Sequence, residues 1–120
     1  VYAQGIGIRS NPTFAFETPT HDVTCQVDEH EGLLECQLAS GQIRPHPAEC
    51  LAYRLIGYSL ERAGRAEIMC GRRGFISNRT IMRSVLRRSG FTCVLRASGV
   101  RCRNRGGHGF LVSTGRSYKF

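Results

Sequence analysis

Residues 91–105 read FTCVLRASGVRCRNR, and this stretch determines how the chain is expected to fold. Apolar and polar residues alternate on both sides of the polar segment 96–99, which is typical of two antiparallel strands joined by a turn. If Cys93 pairs with Cys102, Leu95 falls opposite Val100, so the disulfide and the alternation agree on one register. The hairpin then has an apolar face, made of Phe91, Cys93, Leu95, Val100 and Cys102, and an opposite face with Thr92, Val94, Arg101 and Arg103.

A second hairpin of the same kind is predicted nearer the start of the chain. Residues 23–36 read VTCQVDEHEGLLEC, with alternation on both sides of the polar segment 28–32. Pairing Cys25 with Cys36 puts Val27 opposite Leu34 on the same face, again in agreement with a period of two. We therefore predict a mainly β fold built from sequential antiparallel hairpins.

The segment between these hairpins allows two interpretations. Residues 47–63 show a helical spacing of apolar side chains, but Gly57 disfavours an uninterrupted helix because glycine costs about 1 kcal/mol in a helix interior. The alternative is a strand at 58–61 that turns at 63–64 into a second strand at 66–70. Once four cysteines are assigned to the hairpins, Cys50 and Cys70 remain, and these are predicted to form the third disulfide.

Length and cysteine content indicate the class of protein. The 120 residues and 13.4 kDa correspond to one disulfide-stapled domain, expected at 14–120 after a flexible N-terminal arm at 1–13. The six cysteines form no CxxC pair and no zinc-ligand spacing, so we expect three disulfides, no metal and no cofactor. Disulfides predict an oxidising compartment, and hence a secreted or periplasmic protein. No apolar run reaches the roughly 18 residues of a transmembrane segment, and we expect any signal peptide to have been removed before Val1.

Charge is distributed unevenly along the chain. The formal net charge is +8, yet residues 1–67 contain all nine acidic residues and five Arg, whereas residues 68–120 contain twelve basic residues and no Asp or Glu. Genomic base composition explains a preference for Arg over Lys, but it does not explain this asymmetry. The asymmetry predicts either an acidic partner or charge pairing between the two halves of one domain.

The C-terminal stretch combines several short motifs in a fixed order. It reads GFTC at 90–93, GVRCRN at 99–104 and GHGF at 107–110, and it ends with aromatic residues at 118 and 120; near the start, FETPTHDVTC occupies 16–25. These motifs resemble a family of small, uncharacterised secreted bacterial proteins with six cysteines, and the resemblance covers residues 14–120. It implies export, three sequential disulfides and β structure over residues 50–70, but no established activity. The family's middle-segment Trp and the acidic residue after the fourth cysteine are absent here.

The arginines of the C-terminal half are the first candidate functional residues. Arg101, Arg103 and Arg105 alternate along a predicted strand and so are expected to point the same way. Several guanidinium groups on one face suit carboxylates, phosphates or sulfates, whereas the competing interpretation is a solvated face that keeps the protein soluble. The predicted binding residues are Arg72, Arg73, Arg87, Arg88, Arg96, Arg101, Arg103 and Arg105.

Three further groups have both a functional and a structural interpretation. His108 lies between glycines. It is expected to act either as a general acid or base or as a structural residue whose imidazole hydrogen-bonds backbone groups at a bulge. We favour the structural role because the sequence offers no catalytic partner. The acidic segment 28–31 suits a cation or a polar hairpin tip, and the pair His21-Asp22 suits half of a catalytic triad or a turn. In both cases we favour the turn.

These observations favour a non-catalytic, extracytoplasmic interaction module whose Arg-rich half docks an acidic protein, a larger envelope assembly or an anionic polymer. The alternative is a small secreted hydrolase that acts on a polyanion with His108 as acid or base, and a third hypothesis is a basic toxin that acts on anionic surfaces. Nucleic acid is not favoured as a partner, because stacking aromatic residues are expected beside the charge and the GHGF motif is more typical of an architectural turn.

Overall fold

The computed structural model describes residues 13–38, 55–70, 80–81, 84–97 and 99–120, and within these ranges the chain forms strands and turns but no helix. The predicted mainly β fold is therefore confirmed. No helix in the described ranges is of the length and apolarity that a membrane span requires. Residues 1–12 of the predicted arm lie outside the described residues.

Eleven strands are described in chain order. They are β1 (Phe14–Glu17), β2 (Val23–Asp28), β3 (Leu33–Leu38), β4 (Leu55–Glu61), β5 (Glu67–Cys70), β6 (Thr80–Ile81), β7 (Val85–Arg88), β8 (Phe91–Leu95), β9 (Gly99–Arg103), β10 (Gly109–Ser113) and β11 (Tyr118–Lys119). The first six form one sheet in the order β5-β4-β3-β2-β1-β6, antiparallel except between β1 and β6. The last five form a second, antiparallel sheet in the order β11-β10-β9-β8-β7.

Both hairpin registers predicted from the sequence are confirmed. Cys25 is opposite Cys36 in the β2–β3 pair, and Cys93 is opposite Cys102 in the β8–β9 pair. Each pair is joined by a disulfide, with Cα atoms 4.1 and 4.0 Å apart, because directly opposite residues bring their Cβ atoms within bonding reach. Cys70 is also disulfide-bonded, but its predicted partner, residue 50, lies outside the described residues.

The segment that allowed two interpretations forms strands wherever it is described. The helix interpretation is wrong for residues 55–63, which contain β4 and the start of the turn into β5; residues 47–54 lie outside the described residues. Gly57 supplies the physical reason, since a Cβ at this position would lie 1.9 Å from the carbonyl oxygen of Cys36. The absence of a side chain therefore lets β4 approach β3 closely.

The larger apolar core of the described residues lies between the two sheets. The predicted apolar face of residues 91–102 is buried against the first sheet, where the rings of Tyr58 and Phe110 stack with centroids 5.7 Å apart. Burial also raises the pKa of the Tyr58 hydroxyl. The inward and outward alternation of β8 and β9 therefore follows the sequence pattern, with Arg101 and Arg103 exposed on the side away from the core.

The polar face of the first sheet is buried as well. Every residue of β2 and β3 is buried, and Gln26 donates a 2.9 Å hydrogen bond from Nε2 to Oε1 of Glu35, with both residues 1% exposed. This pairing satisfies polar groups that would otherwise be costly to bury. The polar side chains of β2 and β3 are therefore almost completely hidden from solvent. The outer side of the second sheet, in contrast, exposes its polar side chains to solvent.

Candidate binding surface

The side of the second sheet that points away from the core carries arginine, apolar and aromatic side chains in two rows across the strands. We call it the outward face. The register places Val85, Val94, Arg101, Leu111 and Tyr118 in one row and Arg87, Thr92, Arg103, Gly109 and Phe120 in the next. Its three arginines are exposed, and residues 84–120 contain no Asp or Glu. The outward face is therefore positively charged with no acidic side chain of its own sheet beside it.

Aromatic rings orient some of these cations. Phe120 exchanges backbone hydrogen bonds of 3.0 and 2.9 Å with Gly109, which extends the β10–β11 pairing by one position. The guanidinium carbon of Arg101 lies 4.3 Å from the centroid of the Phe120 ring, and that of Arg116 lies 4.9 Å from the centroid of the Tyr118 ring. Such cation–π contacts hold a long side chain in place while its N–H groups remain available.

The arginines of the outward face have free hydrogen-bonding groups. Within the part of the chain that the structure describes, Arg87, Arg101 and Arg103 make no hydrogen bond or ion pair. Their N–H groups therefore face solvent and can donate hydrogen bonds to an oxyanion without breaking an internal contact.

Arg88 belongs to a different environment from Arg87, although the sequence analysis grouped them. Because side chains alternate along a strand, Arg88 points towards the first sheet, where its Nε lies 3.0 Å from Oε2 of Glu29 and its Nη2 lies 3.1 Å from Oε1. Its guanidinium also lies 4.2 Å from the ring centroid of Phe14. The hydrogen bond from Arg88 lowers the pKa of the Glu29 carboxyl, and Glu29 raises the pKa of Arg88. This arginine therefore pairs the two halves of the domain.

The remaining predicted arginines are dispersed. β9 ends at Arg103, so Arg105 is not on the strand as its spacing suggested; it lies in the turn before β10, next to Gly90. Arg96 is exposed in the turn between β8 and β9, at the opposite end of the sheet. Arg72 and Arg73 lie outside the described residues.

The turn that contains His108 is organised by a neighbouring residue. Asn104, 2% exposed, accepts hydrogen bonds on Oδ1 from the backbone N–H groups of Gly106 at 2.9 Å and His108 at 3.1 Å. The imidazole of His108 itself makes no hydrogen bond or ion pair within the described ranges. The backbone N–H groups of this turn are therefore satisfied by Asn104 and not by the imidazole, and within the described residues no carboxylate contacts His108.

The two acidic segments considered as sites form turns. In the β2–β3 turn, Asp28 accepts a hydrogen bond on Oδ1 from the backbone N–H of Glu31 at 3.0 Å, while Glu29 pairs with Arg88. His21, which has a positive φ of 65°, lies in the β1–β2 turn, and its Nδ1 is 3.0 Å from Oε1 of Glu17. These side chains are engaged in local and inter-sheet contacts.

The sequence analysis missed two structural arginine contacts. Arg62 donates from Nε to the carbonyl oxygen of Ser89 at 3.0 Å, and from Nη2 to Ser89 Oγ at 2.8 Å and to the carbonyl oxygen of Glu29 at 2.7 Å. It thereby joins three turns of the two sheets. Arg116 was also missed, although the alternation of aromatic residues at 118 and 120 was a signal that β11 has an aromatic face.

Comparison with known proteins gives a family but no activity. The model of a family of unknown function, DUF6636, matches residues 14–120. No curated protein and no solved structure matches the chain.

Proposed function

This chain belongs to the DUF6636 family, whose function is unknown, and we propose that it is a non-catalytic binding module that docks an acidic partner on its outward face. The observation that carries the proposal is the set of exposed arginines at 87, 101 and 103, which have no acidic neighbour in their sheet and no internal hydrogen bond within the described residues. Guanidinium groups with free N–H edges bind carboxylates and other oxyanions strongly because the hydrogen bonds are charge-assisted.

The internal contacts of the other arginines support this division of roles. Arg62 joins turns of the two sheets, and Arg88 joins β7 to the β2–β3 turn, so both guanidinium groups stabilise the fold. Arg101 is held over the ring of Phe120. Solubility alone does not require such a contact, whereas a binding surface gains affinity from side chains that are ordered before the partner binds.

Disulfides support an extracytoplasmic location for this module. The two described hairpin disulfides indicate an oxidising environment, because cytosolic thiols are kept reduced. We therefore place the module among secreted or periplasmic proteins, with an acidic protein or assembly as its leading partner and an anionic polymer as the second. The hydrolase alternative requires a partner that orients His108, and none is present among the described contacts.

Replacement of the three face arginines tests the proposal. The triple variant R87Q/R101Q/R103Q should elute much earlier than wild type from a cation-exchange resin of carboxylate type, while its thermal unfolding temperature stays close to wild type. Surface changes away from special features usually alter stability by only about ±0.5 kcal/mol.

The triple variant R65Q/R96Q/R105Q is the matched control, because it removes the same charge from exposed positions outside the outward face. It should retain most of the wild-type elution position. Equal losses in the two triple variants would mean that net charge alone governs retention, and would overturn the proposed surface. Lost stability in R87Q/R101Q/R103Q would mean that these arginines are structural.

A further inference from the structure

We infer that Arg101 is the anchor of the outward face and that its guanidinium binds a side-chain carboxylate of a protein partner. Phe120 is the residue that positions this guanidinium. The inference rests on the proposed function. A different ligand or a different anchoring arginine would leave the outward face a binding surface.

The geometry around Arg101 is built by residues of three neighbouring segments of the sheet, namely Arg101 on β9, Gly109 on β10 and Phe120 directly after β11. A Cβ at Gly109 would lie 2.8 Å from Cζ of Phe120, so the ring of Phe120 occupies the space that a side chain on β10 would otherwise fill. Arg101, on the neighbouring strand β9, lays its guanidinium over this ring at 4.3 Å from the centroid. The missing side chain at position 109 thus makes room for the ring, and the ring fixes the guanidinium.

Arg103 provides an internal comparison. It is the next outward residue of the same strand and is exposed like Arg101, but no ring contact holds it within the described residues. An arginine that is already held loses less conformational entropy on binding than a mobile one, whose ordering costs about 0.5–1.5 kcal/mol. Arg101 should therefore contribute more to affinity than Arg103 although their charges are equal.

The planar fork of a held guanidinium selects the shape of its ligand. Two parallel N–H groups match the two oxygens of a carboxylate, which lies in one plane with the guanidinium. A lysine ammonium at the same position would keep the charge but lose the flat stacking of the guanidinium on the ring and the bidentate geometry.

Neighbouring side chains favour a protein as the source of the carboxylate. Arg101 lies directly between Val94 on β8 and Leu111 on β10, both partly exposed. Apolar side chains around an arginine are typical of the centre of a protein–protein interface, whereas a polysaccharide or a phosphate backbone offers little to cover them. Phe120 and Tyr118 each already hold a guanidinium, which leaves less ring surface for the stacked bases of a single-stranded nucleic acid.

Three soluble probes test both parts of the inference at one salt concentration: a random glutamate–tyrosine copolymer, heparin and oligothymidylate. The copolymer should bind the wild-type chain more tightly than the two other polyanions do. The R101K variant should weaken copolymer binding by about tenfold, because the ammonium loses the second parallel hydrogen bond and the flat stacking on the ring. The matched R103K variant should weaken it by less than about twofold, because its charge is kept and no ring contact is lost.

A double-mutant cycle tests the positioning role of Phe120. The F120L variant removes the ring without changing charge, and it should weaken copolymer binding in the wild type but add little further loss in the R101K background. Thermal unfolding of each variant verifies that it is folded. A purely structural effect of F120L would instead give the same loss in both backgrounds, and this would overturn the positioning role.

The remaining outcomes separate the inference from the function on which it rests. Equal losses in R101K and R103K would refute Arg101 as the anchor while leaving the outward face as a binding surface. Tighter binding of heparin or oligothymidylate than of the copolymer would refute a protein carboxylate as the ligand. If the wild-type chain bound none of the three probes, the proposed function itself would fail.

Discussion

At the scale of single residues, the amide of Asn104 uses all of its hydrogen-bonding groups. Its Oδ1 accepts from two backbone N–H groups in its own turn, and its Nδ2 donates to the carbonyl oxygens of Glu61 at 2.9 Å and Gly64 at 2.8 Å. The donors therefore bind the first sheet while the acceptor closes a turn of the second. From the sequence, His108 was the candidate in this turn because an imidazole can act as a general acid or base. In the structure, the residue that is buried and forms these hydrogen bonds is Asn104.

We predict that Asn104→Asp lowers the free energy of unfolding by about 2 kcal/mol or more. The substitution keeps the shape and the acceptor, but it removes both donors and leaves the carbonyl oxygens of Glu61 and Gly64 facing a buried carboxylate, and a buried polar group left unsatisfied costs about 1–3 kcal/mol. Urea unfolding at neutral pH measures the loss. Lys119→Gln is the control, since the exposed Lys119 makes only a 3.5 Å contact from Nζ to the carbonyl oxygen of Ala66; a loss as large as that of Asn104→Asp would refute the special role of the amide.

At the scale of secondary structure elements, β10 depends on a glycine at its first position. A Cβ at Gly109 would lie 1.9 Å from the carbonyl oxygen of Cys102 on β9, as well as 2.8 Å from the ring of Phe120. The first distance is too short for any relaxation by side-chain rotation, because the neighbour is backbone. Pairing with β9 and placement of the C-terminal ring therefore both require glycine here.

We predict that Gly109→Ala lowers the free energy of unfolding by about 1–3 kcal/mol, the usual cost of forcing extra atoms into a packed site. The substitution should also reduce retention on the carboxylate resin, because it displaces the Phe120 ring from beneath the Arg101 guanidinium. Thermal unfolding and elution position measure the two effects. At Gly115 an added Cβ would meet no atom within 4 Å, so Gly115→Ala should change neither. Wild-type behaviour of Gly109→Ala would contradict the account of β10.

At the scale of the whole molecule, the charge asymmetry of the sequence becomes an asymmetry between two sheets. Eight of the nine acidic residues lie in the described part of the chain that forms the first sheet and its turns, and the second sheet carries none. Both hypotheses for the asymmetry have a structural counterpart. Arg88 pairs with Glu29 across the sheets, while the arginines of the outward face form no ion pair within the described residues.

The Glu29–Arg88 pair predicts a pH dependence of stability. The hydrogen bond from Arg88 holds the pKa of Glu29 below its ordinary value of 4.5, so the folded state favours the ionised carboxylate. The stability that this group contributes is complete above the unfolded-state pKa and is lost as the pH falls through the lowered, folded-state pKa. The wild type should therefore unfold at a higher temperature than E29Q at about pH 7, and the difference should disappear towards about pH 3.

Thermal melts over this pH range, repeated at high salt, check the prediction, because salt screens an exposed pair and should reduce the difference. Glu31→Gln is the control from the same turn, since Glu31 is exposed and its side chain has no ion pair within the described residues. A pH-independent difference between wild type and E29Q, or an equal one for Glu31→Gln, would exclude the pair as its source.

Sequence by itself determined the local features of this protein. The period-two alternation and the positions of four cysteines were sufficient to predict both hairpin registers, since a slip of one residue would move every apolar side chain of a strand to the wrong face. The same alternation identified Arg101 and Arg103 as outward residues. These properties depend on neighbours in sequence, or on one cross-strand partner that the disulfide specifies.

Tertiary structure decided which of the predicted arginines have an internal partner. Arg88 is occupied because Glu29 lies on the turn of another sheet, and Arg101 is oriented because the chain places Phe120 over a glycine one strand away. The strand state of residues 55–61 likewise follows from packing, since the close approach of Gly57 to β3 outweighs a local helical pattern. Each of these outcomes depends on contacts between segments that are distant in sequence. A local pattern of residue types does not specify which distant segments come into contact.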